Sequence, residues 1–260
     1  MAIYSHSKLS TFEQCKQKYK FRYIDKIKPD FEASIEAHLG KAVHDTLEWL
    51  YNNVLDNKIP TLDQTIEQYS NNWQENYKEN FKIVKQEFKP EDYFNKGVKF
   101  LINYYLKYQP FKDGTIEMEK RVFVNLNENS SNKIIGYIDR LVYNKETDTY
   151  EIHDYKTGNF LPSQDKFDTD RQLALYGIAI KQLFGENKEI LLVWHYLGHN
   201  KKITSTRTNQ QLEKLKQDIL NLIDEVESTQ EFHPNKSILC DWCEYKSKCP
   251  AFKVQFKLNL

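Results

Sequence analysis

The feature that most limits what this chain can fold into is a pair of alternating segments, IIGYIDRLVY at 134–143 and TYEIHDYKTG at 149–158, separated by the polar turn NKETD at 144–148. Apolar and polar residues alternate with period two, and β-branched and aromatic side chains are frequent, so the two segments are predicted to pair as an antiparallel hairpin. The midpoint of the turn lies between Glu146 and Thr147, which sets Asp139 opposite Asp154 and Lys156 opposite Tyr137. Directly opposed residues have Cβ atoms about 5 Å apart, and residues two apart on a strand share a face. Asp139, Asp154 and Lys156 are therefore expected to project together. Two carboxylates this close repel unless a cation lies between them. Mg²⁺ or Mn²⁺ suits oxygen-rich ligation with water in the remaining positions. Lys156 beside it would orient or help deprotonate an attacking water, or steady the charge on a phosphate under attack. The competing reading is a solvated cross-strand cluster of two acids and an amine, and a one-residue slip would undo the arrangement.

The remaining sequence supplies the frame. A periodic segment at 9–24, LSTFEQCKQKYKFRYI, is expected to be helical, with Ser7 or Ser10 as cap and Ser10–Glu13 as a capping box. Helices are expected at 34–55, with Ala37, Val43, Leu47, Leu50 and Tyr51 on the buried side, and at 62–77 and 90–108. After Gly114 the pattern changes to strands at 116–126, 134–143 and 149–158, then a helix at 171–184, a strand at 190–197, a short strand near 202–206 and a helix at 209–227. That order predicts an α/β fold, a mixed central sheet with an antiparallel core hairpin flanked by helices. A single domain over 1–260 is expected, with a mainly helical part at 1–113, a core at 114–230 and a cysteine-bearing part at 231–260. A short polar run occupies 125–132.

These residues resemble the PD-(D/E)xK nuclease superfamily, specifically its RecB-like branch. GYIDRL at 136–141 is similar to the family's G-x-x-D element and EIHDYKTG at 151–158 to its D-x-K element. GKAVHDTLE at 40–48 resembles the G-x-x-x-H helix, which implies His44 as a further metal ligand. Glu119 stands where the branch often carries an acid on the preceding strand, with Glu117 as a rival, and QLALYG at 172–177 resembles the Q-x-x-x-Y motif through Gln172 and Tyr176. The resemblance implies a restriction-endonuclease-like core, the Tyr155 carbonyl as an additional ligand, and a metal-dependent DNA exonuclease acting on single-stranded ends in repair, recombination or CRISPR adaptation. A second reading is a non-catalytic, metal-stapled DNA-binding subunit of a helicase–nuclease or CRISPR adaptation complex. No P-loop sequence is present, so a helicase motor would be another chain.

The four cysteines are unevenly placed: Cys240, Cys243 and Cys249 form C-x2-C-x5-C, and Cys15 stands far away. This does not fit the two C-x2-C pairs of a zinc ribbon. It is similar to the staple of RecB-like nucleases of the AddB and CRISPR-associated types, which implies a 4Fe–4S cluster on these four thiolates, although Lys16 replaces that family's usual proline. Zinc on the same thiolates, or four unrelated buried cysteines, are the alternatives.

Charge gives no global signal for a polyanion, since Lys+Arg and Asp+Glu each total 37. A local one exists near Cys15, where KQKYKFRYIDKIK interleaves cations with Tyr19, Phe21 and Tyr23. It reads either as a single-strand contact or as an amphipathic helix with its aromatics turned inward. No cationic stretch leads into an apolar run at the N-terminus, and no apolar run nears the ~20 residues of a membrane span. A cytoplasmic protein with no membrane partner is the expectation.

Overall fold

Alternation in the middle of the chain and 3.6-residue periodicity on both sides of it build a sheet between two helical layers. The computed structural model describes residues 3–127 and 132–252. The short strand β1 (Ile3–Ser5) leads into α1 (His6–Gln14) and α2 (Lys16–Tyr19), followed by one π-helical turn at Lys20–Ile24. Three longer helices follow: α3 (Ile35–Leu55), α4 (Leu62–Glu75) and α5 (Pro90–Tyr108). Next come β2 (Thr115–Asn125), β3 (Lys133–Asn144), β4 (Thr149–Lys156), α6 (Gln164–Asp168), α7 (Gln172–Phe184), β5 (Glu189–Tyr196), β6 (Lys201–Ser205) and α8 (Asn209–Ser228). Within the polar run at 125–132, residues 128–131 lie outside the described residues.

The sheet is mixed, as expected. β3 is antiparallel to β2 and β4, β1 lies parallel to β3, β4 and β5 are parallel, and β6 closes the far edge antiparallel to β5. One face packs against α7, α8 and α1 through Ile134, Ile138, Ile152, Leu173, Ile180 and Ile223. The other packs against α3, α4 and α5 through Leu47, Leu50, Tyr51, Trp73, Leu101, Tyr104 and Tyr155. Fully burying a side chain of this kind contributes about 1.5–3 kcal/mol, so two such cores clamp the sheet.

Three local expectations need correction. Ser5, not Ser7 or Ser10, caps α1 by accepting from Lys8 N–H. Ser10 and Glu13 instead receive the Arg171 guanidinium. The helix expected over 9–24 breaks at Cys15, whose extended backbone (φ −162°, ψ 106°) separates α1 from α2. On α3, capped by Ser34, Ala37 is exposed, and Ile35, His38, Leu39 and Ala42 join the buried side.

The interleaved stretch around Cys15 turns its rings inward. Tyr19 and Phe21 are buried, and Tyr19 packs against Phe12 and Tyr23. Its cations pair locally: Lys16 with Glu225, Lys18 and Arg22 with Glu244, and Lys20 with Asp25.

Candidate active site

The hairpin takes the register that its turn implies. Arg140 pairs with His153 and Asn144 with Thr149, so extending the ladder one step sets Asp139 against Asp154. The ladder stops short of that step. β1 and β2 both pair with residues 133–135 of β3, and β2 and β4 both pair with 140–142. Since β2 holds one edge of β3, β1 and β4 must share the other, with 136–139 left open between them. The C-terminal ends of β1 and β4 run toward that opening from opposite directions. Into it falls the Asp139 carboxylate, whose Oδ2 accepts the Tyr155 N–H at 2.9 Å. The G-x-x-D element is thus the stretch of β3 that is left open on the edge away from β2.

A left-handed residue, Glu119, interrupts the β2–β3 ladder without shifting its register. Glu119 sits across from Asp139, between the pairs Met118–Arg140 and Lys120–Ile138, with φ at +46°. This left-handed backbone is costly for a residue with a Cβ, and such conformations concentrate at functional sites. Side-chain alternation on β3 slips here, so that Ile138 and Leu141 face the α7 core while Arg140 lies over the Tyr51 ring on the α3 side. Glu117, the rival acid, is exposed and paired with Lys120.

His44, one turn beyond Gly40 on α3, completes the cluster. Its Nε2 lies 2.7 Å from the Tyr155 carbonyl oxygen and its Nδ1 3.3 Å from Asp139 Oδ2. A neutral imidazole has one N–H, so one of these contacts sets a lone pair against an oxygen. Donor atoms of His44, Glu119 and Asp139 all fall within 4.8 Å of one another, and among the described residues this is the one set of three or more His, Cys, Asp or Glu side chains that does so. Burial first, then the Asp154 charge, pushes Asp139 up to about 6. Burial, Asp139 and Glu48 push Glu119 up to about 7. Crowded acids, an imidazole and a backbone carbonyl fit Mg²⁺ or Mn²⁺.

Asp154 and Lys156 stand beside this set on the α7 face. Lys156 Nζ is 2.7 Å from the buried Asp154 Oδ2, so ammonium and carboxylate form a close ion pair. Burial works against the Lys156 ammonium, but Asp154 outweighs it and holds Lys156 above the usual lysine range. Gln172, at the start of α7, bridges the two: its Nε2 donates to Asp154 Oδ1 and its Oε1 accepts from Lys156, each at 3.3 Å. Tyr176, one turn on, covers Gly136 so closely that a Cβ there would lie 2.1 Å from its ring. Where a flat shared face was expected, Asp139 enters from the open edge and Asp154 with Lys156 from the α7 side.

Several neighbours left little or no trace in the sequence. Asp170 Oδ1 accepts the Gln172 N–H at 3.0 Å and so fixes the start of α7; an aspartate just ahead of a helical run is the one signal that could have found it. His6, the first residue of α1, feels the charges of Arg171 and Lys156, and burial, followed by those two, lowers it to about 4. It left no signal, because a lone histidine at a helix start belongs to no motif. Behind the acids, Arg140 donates to His153 Nδ1 at 2.6 Å, and His195 Nε2 lies 2.8 Å from the same nitrogen. The Tyr155, Tyr104 and Tyr51 hydroxyls continue that buried chain. It holds Arg140, next to Asp139, and both neighbours of Asp154, His153 and Tyr155.

The cysteines meet beyond the end of α1. All four line one pocket with Lys18, Phe21 and Tyr245. Gln17 N–H donates to the His233 carbonyl at 3.3 Å and Asp30 N–H to that of Glu244 at 2.7 Å, so the C-terminal segment is tied to the N-terminal helices. Cys15 Sγ accepts from Lys18 and Asn235 N–H, and Cys240 Sγ from Ser237 N–H. No three of the sulfurs converge within 4.8 Å.

A mixed sheet between helical layers, opening at its central hairpin over acids, an imidazole and an Asp–Lys pair, defines a restriction-endonuclease-like fold with a candidate metal centre. The chain belongs to the PD-(D/E)XK nuclease superfamily, whose family model matches residues 3–250. No curated protein matches it. Among solved structures it is similar to one named "putative exonuclease" from Eubacterium rectale, at 12% identity and a TM-score of 0.52, over 94% of this chain and 86% of that one. The structure of SSO0001 is 14% identical over 95% of this chain and 94% of that one, with a TM-score of 0.40.

Proposed function

We propose that the protein is a Mg²⁺- or Mn²⁺-dependent deoxyribonuclease that acts as an exonuclease on single-stranded DNA ends, in DNA repair and recombination or in CRISPR adaptation. The observation that carries this reading is the convergence of His44, Glu119 and Asp139 at the open edge of β3, beside the Tyr155 carbonyl and the Asp154–Lys156 pair. His44, Asp139, Asp154 and the Tyr155 carbonyl hold the cation, with Glu119 supporting them. When bound, the cation polarises a phosphoryl oxygen and makes a water nucleophilic at neutral pH. Lys156 acts as an ammonium that orients this water and stabilises charge gathering on the phosphate. Gln172 keeps Lys156 and Asp154 in register, and Tyr176 holds α7 against β3. The water sheds a proton to solvent as its oxygen bonds to phosphorus, the bond to the leaving sugar oxygen breaks, and that oxygen takes a proton back from solvent. The name borne by the Eubacterium rectale neighbour points the same way.

A metal-titrated digestion of linear and circular single-stranded DNA tests this. Linear strands are expected to shorten in Mg²⁺ or Mn²⁺, circles to survive, and chelation to stop the reaction. Cleaved circles would make the enzyme an endonuclease. Binding without cleavage in any divalent ion would favour the non-catalytic subunit reading.

For the cysteines the reading is a 4Fe–4S cluster on Cys15, Cys240, Cys243 and Cys249, as in the RecB-like branch, with a structural role. Tetrahedral zinc with Zn–S bonds near 2.3 Å needs sulfurs about 3.8 Å apart. Here no three come within 4.8 Å, and a cubane cluster, with one thiolate on each iron, needs wider spacing. The purified protein should be brown and absorb near 400 nm. Cys15→Ser should lose that band and melt about 5–15 °C lower, because it opens a loop spanning most of the chain. Stoichiometric zinc with no such band would replace iron by zinc.

A further inference from the structure

The face of the β2–β3 ribbon that carries Glu119 and Asp139 continues beyond them without a helical cover. Opposed pairs share a face, so the rungs after Glu119–Asp139 are Arg121–Tyr137, Phe123–Ile135 and Asn125–Lys133. On the reverse face Val122, Val124, Ile134 and Ile138 are all but fully buried under α7. On this face Tyr137 is 50% exposed and Phe123 is 42% exposed. Arg121 lies 4.8 Å over the Phe123 ring. Among the described residues neither Arg121 nor Lys133 pairs with a carboxylate, whereas the cations around Cys15 do. No acid stands on these three rungs. Uncovered rings and unneutralised cations therefore form a path that begins at the candidate metal ligands.

We propose that this face is the track on which single-stranded DNA lies as it enters the metal site, with bases stacking on Tyr137 and Phe123 and phosphates meeting Arg121 and Lys133. The occupant follows from chemistry and from continuity. Successive rungs are about 7 Å apart, so Tyr137 stands one rung and Phe123 two rungs from the acid pair. A strand whose scissile phosphate sits at Asp139 must cross one neighbouring surface, and this one offers cations to its phosphates and open ring faces to its bases. In a duplex the base faces are already stacked, so exposed rings select unpaired strands. This inference rests on the nuclease reading for its direction, though not for its contacts.

The test is fluorescence anisotropy of a fluorescein-labelled oligothymidylate, with EDTA present to prevent cleavage, using the full chain. Tyr137→Ala and Phe123→Ala are expected to bind about 5–150-fold more weakly. Phe123→Leu, which stays apolar without a ring, should bind as weakly as the alanine variant. Arg121→Ala should reduce the slope of log K against log salt by about 0.7. The side chains changed are all exposed, so melting temperatures should match the wild type. Variants that bind like the wild type, a wild type that binds no single strand, or a Phe123→Leu protein that binds normally would each overturn the track. Dimerisation lost in the alanine variants would overturn it in favour of a second copy of this chain as the occupant. If the variants weaken binding but no divalent ion supports hydrolysis, the nuclease reading fails and the track stands. If DNA is hydrolysed but binding is indifferent to these residues, the track fails and the nuclease reading stands.

Discussion

Asp139→Asn is expected to lower kcat on linear single-stranded DNA by about a thousandfold and yet to raise the melting temperature of the metal-free protein at pH 7. The activity loss follows from removing a charged oxygen from the set that holds the cation. The stability gain follows from the same crowding. Burial and the neighbouring Asp154 charge push the Asp139 carboxyl from 3.8 up to about 6, so the folded state holds that proton more tightly than the unfolded chain does. Stability contributed by this group is fully present below about pH 4 and is lost as pH rises through about 6. Asparagine keeps the oxygen that accepts from Tyr155 N–H and carries no charge at any pH. The wild type and the variant should therefore melt together near pH 4 and separate by pH 7, by on the order of 2–3 kcal/mol or about 5–10 °C. Calorimetry in EDTA at the two pH values, with single-turnover cleavage in Mg²⁺, checks both halves. An asparagine variant that is less stable at pH 7, or still active, would mean these acids do not crowd around a cation site.

Gly136→Ala should damage stability and catalysis together. The added Cβ would stand 2.1 Å from Tyr176 Cε1 and under 3 Å from two further ring atoms. Tyr176 is buried in the core, so its ring cannot swing out to solvent as a flexible chain end would. Overpacking of this kind costs about 1–3 kcal/mol, or about 3–10 °C for a chain of this size. Displacing α7 also carries Gln172 away from Asp154 and Lys156, so kcat should fall by at least about tenfold. Tyr176→Leu in the same chain makes room and should restore most of the lost stability, and a double-mutant cycle should show a coupling above about 1 kcal/mol. Additive effects of the two changes would separate the glycine from the tyrosine and leave the close approach without consequence.

Much of the molecule was legible in its sequence. The turn at 144–148 gave the register of β3 on β4, because its length leaves one way for the flanking alternation to pair. Periodicity placed α3, α5 and α7 within a residue or two. Motif order pointed to His44, Asp139, Asp154, Lys156 and Gln172 as one group, and these side chains lie near one another in the fold. Glu119 could not be separated from Glu117 by sequence, since the left-handed backbone at Glu119 and its place across from Asp139 exist only in the paired strands. Nor could the buried Arg140–His153–His195 chain be foreseen, because its members come from three strands whose shared back face exists only once the sheet has formed.

Local pattern by itself determined the mixed α/β architecture, the central hairpin and the register of its two strands. Tertiary structure alone decided that β3 would be left open at 136–139, that Asp139 would enter through that opening, and that the outer face of β2 and β3 would lie bare. The reason is physical: alternation and turn chemistry act between residues close in sequence. Where an edge ends and what covers a face depend on β1, α3 and α7 arriving from distant parts of the chain.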